Sequence, residues 1–169
     1  AVFDQSYFGK FILDGEGADE AVQWLCGADM HGRREGAVVY TPLCNAFGGV
    51  EADLTVTKLG GGLLGGGRGW YFCAGGSTAS RDYAWITRVL EEGGYAGRAF
   101  LRDESEKYSL ISVQGPRAQQ LLAPLAAGAL DDLSGFDFST ARELTVAGLP
   151  ATCLRLTFVG ELGFELHVP

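Results

Sequence analysis

A tyrosine and an aspartate lie thirteen residues apart in the stretch from Val38 to Leu59. A carboxylate can accept a proton or stabilise a cation, and a phenol can hydrogen-bond to it or stack on a flat ring. Tyr40 falls in the first of two predicted strands and Asp53 in the second, with an Asn-Ala-Phe-Gly-Gly turn between them. Taken alone, such an aspartate is more often a surface group and such a tyrosine half-buried core.

The second of these strands alternates between apolar and polar residues, so its two faces are predicted to differ in character. The apolar face would carry Val50, Ala52, Leu54 and Val56, and the polar face Glu51, Asp53, Thr55 and Thr57. A polar strand face beside a Gly-Gly turn is either an ordinary solvated surface or one wall of a binding site. The strand pattern alone leaves both readings open.

A second pair of charged residues lies near the end of the chain. Arg155 interrupts the apolar segment from Ala151 to Val159, and Glu161 follows just past a glycine. By themselves these residues are typical of an edge-strand arginine paired with a nearby carboxylate. Lys10, which follows Gly9, is expected to be solvated.

Composition and charge exclude several classes of partner. The 169 residues suffice for one domain with a hydrophobic core. A net charge of −8 argues against nucleic-acid binding, which needs a basic surface, and against an anionic membrane surface. The longest apolar runs are far shorter than the roughly 20 residues of a membrane span. We therefore expect no nucleic-acid and no membrane partner.

The cysteines and histidines do not form a metal-binding pattern. Four cysteines at positions 26, 44, 73 and 153 are too far apart for a CxxC motif, and the two histidines are also far apart. No metal site and no redox dithiol are therefore predicted. No segment resembles a signal or transit peptide. Because the chain opens on Ala1 within a predicted strand, we expect it to be a piece of a longer polypeptide.

The order of predicted elements indicates an α+β fold with largely antiparallel sheets. Helical spacing covers residues 18–26 and about 80–92, and a third helix follows Pro116; the remaining apolar segments read as strands. The composition breaks most clearly at Gly60–Gly69, which is predicted to be a flexible linker. Two packed subdomains are expected, residues 1–59 and 70–169, the second incomplete at its C-terminal end.

Four blocks of the chain resemble, in order, those of the folate-binding domain of the aminomethyltransferases, the T-protein family of the glycine cleavage system. They are AVFDQSYFGK, YTPLCNAFGGVEADLTV, SLISVQGPRA and RLTFVGELGFELHVP. The blocks span nearly the whole chain and keep the family's spacing of tyrosine and aspartate. The details are most similar to the C-terminal folate region of sarcosine dehydrogenase and dimethylglycine dehydrogenase. Ala52, Phe158 and Val159 stand where T-protein usually has aspartate, tyrosine and threonine.

The resemblance implies a cavity that binds tetrahydrofolate between subdomains. In the dehydrogenases a separate FAD domain, expected upstream of this chain, oxidises a methylamine to an iminium. The folate region then captures the one-carbon unit as 5,10-methylenetetrahydrofolate. By resemblance, Asp53 is the essential catalytic carboxylate, Glu161 hydrogen-bonds the pterin ring, Tyr40 lines the pocket, and Arg155 holds Glu161 in place.

The resemblance also leaves alternatives. A downstream β-domain and a further folate-contacting arginine are expected beyond Pro169. The location implied is the mitochondrial matrix. A non-catalytic regulatory relative, like the regulatory subunit of pyruvate dehydrogenase phosphatase, and a glycine cleavage aminomethyltransferase are the competing interpretations. Whether the substrate is sarcosine or dimethylglycine is set outside this chain.

Overall fold

A computed structural model describes all 169 residues, which form ten strands, four helices and two short 3-10 turns. The strands are β1 Val2–Asp4, β2 Gly9–Asp14, β3 Val38–Cys44, β4 Val50–Lys58, β5 Trp70–Ala74, β6 Phe100–Asp103, β7 Ser109–Gln114, β8 Thr140–Val146, β9 Leu149–Arg155 and β10 Gly163–Val168. The helices are α1 Ala18–Leu25, α2 Leu63–Gly66, α3 Ala79–Glu92 and α4 Ala118–Leu122, and the 3-10 turns are Ser105–Lys107 and Ala123–Leu125.

The strands form two five-stranded sheets. The first sheet has the order β3-β4-β5-β2-β6, and the second has the order β1-β7-β10-β9-β8. Every neighbouring pair of strands is antiparallel. The predicted α+β class with largely antiparallel sheets is therefore confirmed.

Helices cover the outer face of each sheet. α1 buries Ala18, Ala21, Val22 and Leu25, a spacing of three and four residues that puts all of them on one helix face. That face and the inner side of α3 pack against the outer face of the first sheet. The second sheet buries its own outer face against α4 and the segment that follows it. Each large side chain buried in this way contributes about 1.5–3 kcal/mol.

The inner faces of the two sheets meet in a third apolar cluster. Ile12 and Tyr71 of the first sheet pack there with Leu110 of the second. The Tyr71 hydroxyl lies 3.0 Å from Nδ1 of His167, and both side chains are fully buried. A smaller cluster joins Val38 on β3 to Leu154 and Leu156. These contacts close one end of the space between the sheets, which we call the cleft.

The glycine-rich segment does not separate the two sheets. It connects β4 to β5, which are neighbours in the first sheet. Apart from β1, the second sheet is formed by the chain after β6, so the division between sheets differs from the predicted boundary at residues 60–69. The segment is also anchored: Leu63 and Leu64 are buried, and the Leu64 amide donates to Thr152 Oγ1 at 2.8 Å. Burial of these two leucines fixes the segment to the domain, although the surrounding glycine-rich sequence is typical of a flexible linker.

The first two strands are not partners. β1 pairs with β7, whereas β2 pairs with β5 and β6, so the segment between them is a crossing between sheets. Lys10 is fully buried beside that crossing, contrary to its predicted solvation. Its Nζ donates to the carbonyl oxygens of Ser6, Phe8 and Ser105 at 2.8, 3.0 and 3.0 Å. Three charge-assisted hydrogen bonds offset the cost of burying the ammonium group.

Candidate functional site

Tyr40 and Asp53 are diagonal neighbours on the inner face of the first sheet. Tyr40 lies directly opposite Thr55, and Asp53 lies directly opposite Pro42. Asp53 is thus two residues along β4 from the residue opposite Tyr40, on the same face of the sheet and within reach of the tyrosine side chain. The Tyr40 hydroxyl donates to Asp53 Oδ2. Both residues are exposed, with 66% of Tyr40 accessible to solvent. The polar face of β4 is therefore the inner face of the first sheet and lines the cleft.

The turn between β3 and β4 fixes the register of this pair. Asn45 Oδ1 accepts hydrogen bonds from the backbone amides of Phe47 and Gly49, at 3.0 and 2.9 Å. Its Nδ2 donates to Glu51 at 2.8 Å. An asparagine that bonds its own turn in this way stabilises the hairpin locally.

The hydrogen bond to Asp53 changes the acidity of the phenol. It raises the pKa of Tyr40, with smaller contributions from desolvation and from the negative charge of Asp53. The phenol therefore keeps its proton at neutral pH and acts as a hydrogen-bond donor to the carboxylate.

A second carboxylate faces this wall from the opposite sheet. Glu165 shares its strand face with His167, which contacts Tyr71 of the first sheet. Burial raises the pKa of Cys73 to about 12, and the negative charge of Glu165 adds to that shift. Cys73 and Glu165 each lie two residues along their strands from the contact between Tyr71 and His167, so they occupy the two facing surfaces beside it. Cys73 lies directly opposite Thr55, two residues along β4 from Asp53. At about 3.4 Å per residue, those two positions are about 7 Å apart along the strand.

The environment of Glu165 differs from that of Asp53. Burial alone raises the pKa of Glu165 to about 7, and no cation lowers it. On the same face, Ser112 lies opposite Glu165, and Gln114 Nε2 donates to Ser112 Oγ at 2.9 Å. A carboxyl group near half-protonation that faces a cleft is a frequent feature of functional sites.

The structure places Glu161 and Arg155 outside this cleft wall. Glu161 is exposed in the loop between β9 and β10, where a side chain added at Gly115 would lie 3.5 Å from its Oε2. Arg155 alternates with Leu154, which faces Val38 of the first sheet, so Arg155 points to the other side. Its Nη1 donates to the carbonyl of Phe136. Tyr40 and Asp53 are thus brought together, whereas Arg155 and Glu161 form no ion pair.

Glu165 is the residue that the sequence reasoning missed. The signal was present: Phe164 and Leu166 are buried on one face of β10, and Glu165 and His167 occupy the other. The same alternation had singled out Asp53 on β4.

Two further predictions concern cofactor and membrane chemistry. No group of three or more His, Cys, Asp or Glu side chains is arranged to hold a metal ion. All four cysteines are free thiols, and only Cys44 is exposed. None of the helices combines the length and apolar character of a membrane span.

The fold and the cleft define a class of protein: an α+β domain of two facing antiparallel sheets, with Asp53 on one inner face and Glu165 on the other. A family model described as the GCVT N-terminal domain matches residues 1–169. The chain therefore belongs to the GCVT N-terminal domain family, as the four sequence blocks predicted.

Named relatives agree with this assignment. The chain is 41% identical over 176 residues to human mitochondrial sarcosine dehydrogenase, covering 100% of this chain and 19% of that protein. It is 33% identical over 167 residues to an aminomethyltransferase of Thermus thermophilus, covering 99% of this chain and 44% of that protein. The chain thus spans about a fifth of the one and less than half of the other.

Solved structures share the fold. The glycine cleavage system aminomethyltransferase T of Bartonella henselae superposes with a TM-score of 0.77 at 23% identity, over 99% of this chain and 41% of that one. The heterotetrameric sarcosine oxidase of Corynebacterium sp. U-96 gives a TM-score of 0.62 at 17% identity, over 99% and 74%. These likenesses show the fold. The family match and the named relatives make the chain an aminomethyltransferase-type domain, and those relatives are enzymes.

Proposed function

We propose that this domain binds tetrahydrofolate in a sarcosine or dimethylglycine dehydrogenase-like enzyme. There it would capture a one-carbon unit from an iminium and form 5,10-methylenetetrahydrofolate. The observation that carries the proposal is the position of Asp53 and Glu165 on the two facing walls of one cleft. The 41% identity to sarcosine dehydrogenase over the whole chain supports this branch of the family.

The reaction needs a base and a stabiliser of positive charge. A folate nitrogen attacks the iminium carbon, and a second folate nitrogen then displaces the amine. Two C–N bonds to folate form, the C–N bond to the amine breaks, and the two folate N–H protons leave on the amine product. Asp53, exposed at the cleft wall, is the group that we assign to attracting the iminium and relaying these protons.

Glu165 is suited to bind the folate ring. The pterin presents neighbouring N–H donors in an amidine-like arrangement, which pairs with a carboxylate through two parallel hydrogen bonds. Glu165 is desolvated and has no cationic partner to satisfy it. We therefore assign ring binding to Glu165 instead of Glu161, and Tyr40 to the wall beside Asp53. Arg155, bonded to Phe136, has no part in this proposal.

The remaining steps are assigned to other domains. We propose that FAD and the oxidation of the methylamine belong elsewhere in a longer polypeptide, together with a downstream β-domain. The relatives are long enough for this, because the chain covers 19% of human sarcosine dehydrogenase. A mitochondrial matrix location is proposed because the human and mouse relatives are both described as mitochondrial.

A glycine cleavage aminomethyltransferase is the second candidate. The structural likeness to the Bartonella henselae enzyme, with its TM-score of 0.77, favours it. Ala52, Phe158 and Val159 depart from that branch. Transfer from a lipoyl-bound aminomethyl group, and none from an iminium, would select it over our proposal.

Titration of folinic acid tests the folate site. Wild type is expected to bind, and Asp53→Ala and Glu165→Gln are each expected to bind more weakly; Asp132→Ala, an exposed carboxylate on another loop, is the matched control. Isothermal titration calorimetry gives the affinities. Absence of binding to wild type would overturn the folate assignment. Equal affinity and equal one-carbon transfer in wild type and Asp53→Ala would remove Asp53 from the mechanism.

A further inference from the structure

The carboxylate of Asp53 has two oxygen atoms, and the protein uses only one of them. Tyr40 donates its hydroxyl to Oδ2. Oδ1 has no hydrogen-bond donor within the protein. We propose that Tyr40 is the positioning residue of Asp53, holding Oδ2 so that Oδ1 is the acceptor for the folate nitrogen. This inference rests on the proposed function. It gives Tyr40 an indirect role, exerted through Asp53, and not a direct contact with the ligand.

The pairing of β3 with β4 holds Tyr40 in place to orient Asp53. Tyr40 and Asp53 stand on adjacent strands, opposite Thr55 and Pro42, within a continuous antiparallel ladder. An exposed aspartate on a strand otherwise samples several rotamers, and fixing it during the reaction would cost conformational entropy. A tyrosine has only two side-chain torsions before its hydroxyl, so the hydrogen bond selects one carboxylate orientation at small cost. Orientation matters because small misplacements of a catalytic group lower rates steeply.

The chemistry of a phenol suits this role. The hydrogen bond to Asp53 raises the pKa of Tyr40 above its ordinary value, so the hydroxyl remains a donor throughout the neutral range. A permanent donor occupies one oxygen without competing for the proton that leaves folate. Lysine would supply a positive charge that repels the iminium, and the phenol avoids this repulsion.

A double-mutant cycle on the full chain tests the inference. Folinic acid affinity is measured for wild type, Tyr40→Phe, Asp53→Ala and the double variant. Tyr40→Phe keeps the ring and removes the hydroxyl, and we expect it to weaken binding about fivefold, the effect of one net hydrogen bond. In the Asp53→Ala background the same change is expected to have no effect, because Tyr40 acts only through Asp53.

A second measurement follows the hydrogen bond itself. The absorbance of the phenolate is titrated against pH in the ligand-free protein, and Asp53→Asn is expected to lower the pKa of Tyr40 towards its ordinary value. Tyr95→Phe is the control, because Tyr95 packs against the outer core and away from the cleft. An unchanged pKa in Asp53→Asn would show that the hydrogen bond does not form in solution and would overturn the inference, whereas the binding cycle above separates a positioning role from a purely structural one.

The outcomes separate the inference from the proposed function. Absence of folinic acid binding to wild type rejects the proposed function and, with it, the ligand role of Tyr40. Binding to wild type that Tyr40→Phe leaves unchanged rejects only the inference. A loss from Tyr40→Phe that persists in Asp53→Ala also rejects it, since Tyr40 would then contact the ligand directly.

Discussion

On the wall of the cleft contributed by the first sheet, Asp53 is exposed and hydrogen-bonded, whereas on the wall contributed by the second sheet Glu165 is half-buried and has no hydrogen-bond partner in the protein. Asp53 on the first wall receives the Tyr40 hydroxyl and remains open to solvent. Glu165 on the second wall loses solvent, and burial raises its pKa to about 7. The two environments suit the two tasks that we propose for the same chemical group, a hydrated base on one side and a ring-binding carboxyl on the other.

Replacing Glu165 by leucine is the most severe test of this difference. We expect folinic acid affinity to fall about 10- to 100-fold, because hydrogen bonds to a charged group contribute about 1.5–3 kcal/mol. The ligand-free protein is expected to be as stable as wild type or more stable, since an unpaired buried carboxyl is removed. Calorimetric titration and thermal unfolding together measure both effects. A less stable protein with unchanged affinity would show that Glu165 serves the fold.

The pH dependence of stability sharpens the same contrast. The folded protein holds the Glu165 proton up to about pH 7, whereas the unfolded chain releases it at its ordinary, lower pKa. Stability is therefore expected to fall as pH rises from about 4.5 through 7, by about 3 kcal/mol in total. Glu165→Gln should remove this part of the pH dependence, and Asp53→Asn should not. Urea unfolding of the three proteins at pH 5 and pH 8 measures it.

Asp53→Asn is expected to have a smaller effect on binding than the change at Glu165. The exposed carboxylate is screened by water, so folinic acid affinity should fall only about threefold to tenfold. One-carbon transfer, measured in the enzyme that contains the domain, should fall much further, because the amide cannot accept a proton. Proportional losses in binding and transfer would make Asp53 a binding residue only.

The smallest effect is expected at Glu161. This exposed loop residue lies away from the wall that carries Glu165, so Glu161→Gln should change folinic acid affinity less than about twofold. Glu165→Gln, measured in parallel by calorimetry, is the matched comparison. A larger loss at position 161 than at position 165 would restore the ring-binding role that the family motif had suggested for Glu161.

Local patterns predicted much of this molecule. The alternation of β4 placed Asp53 on the correct face, and helical spacing gave α1 and α3 to within a residue or two. These features depend on neighbours along the chain, which the sequence displays directly. Four short blocks in the family's order then indicated the fold, which the two antiparallel sheets confirm.

Features set by distant contacts were not predictable in the same way. Lys10 follows a glycine and carries a charge, yet carbonyl groups up to 95 residues away accept its hydrogen bonds. β6 was missed because a short, exposed edge strand has weak periodicity. The assignment of β1 and β2 to different sheets depends on pairing with β7 and β5, which no local pattern reveals.

The buried ammonium group of Lys10 has a consequence for how a ligand enters. It bonds to Ser6 and Phe8 in the first crossing between sheets and to Ser105 in the return crossing. The two connections between the sheets are therefore held together by the Lys10 side chain. Near Val38, the β-bridge between Ala37 and Thr140 links the two sheets a second time. The two sheets are thus joined along both margins of the cleft, and Tyr71 and His167 fill one end of it. In the proposed function, folate would therefore enter from the end that carries Asp53.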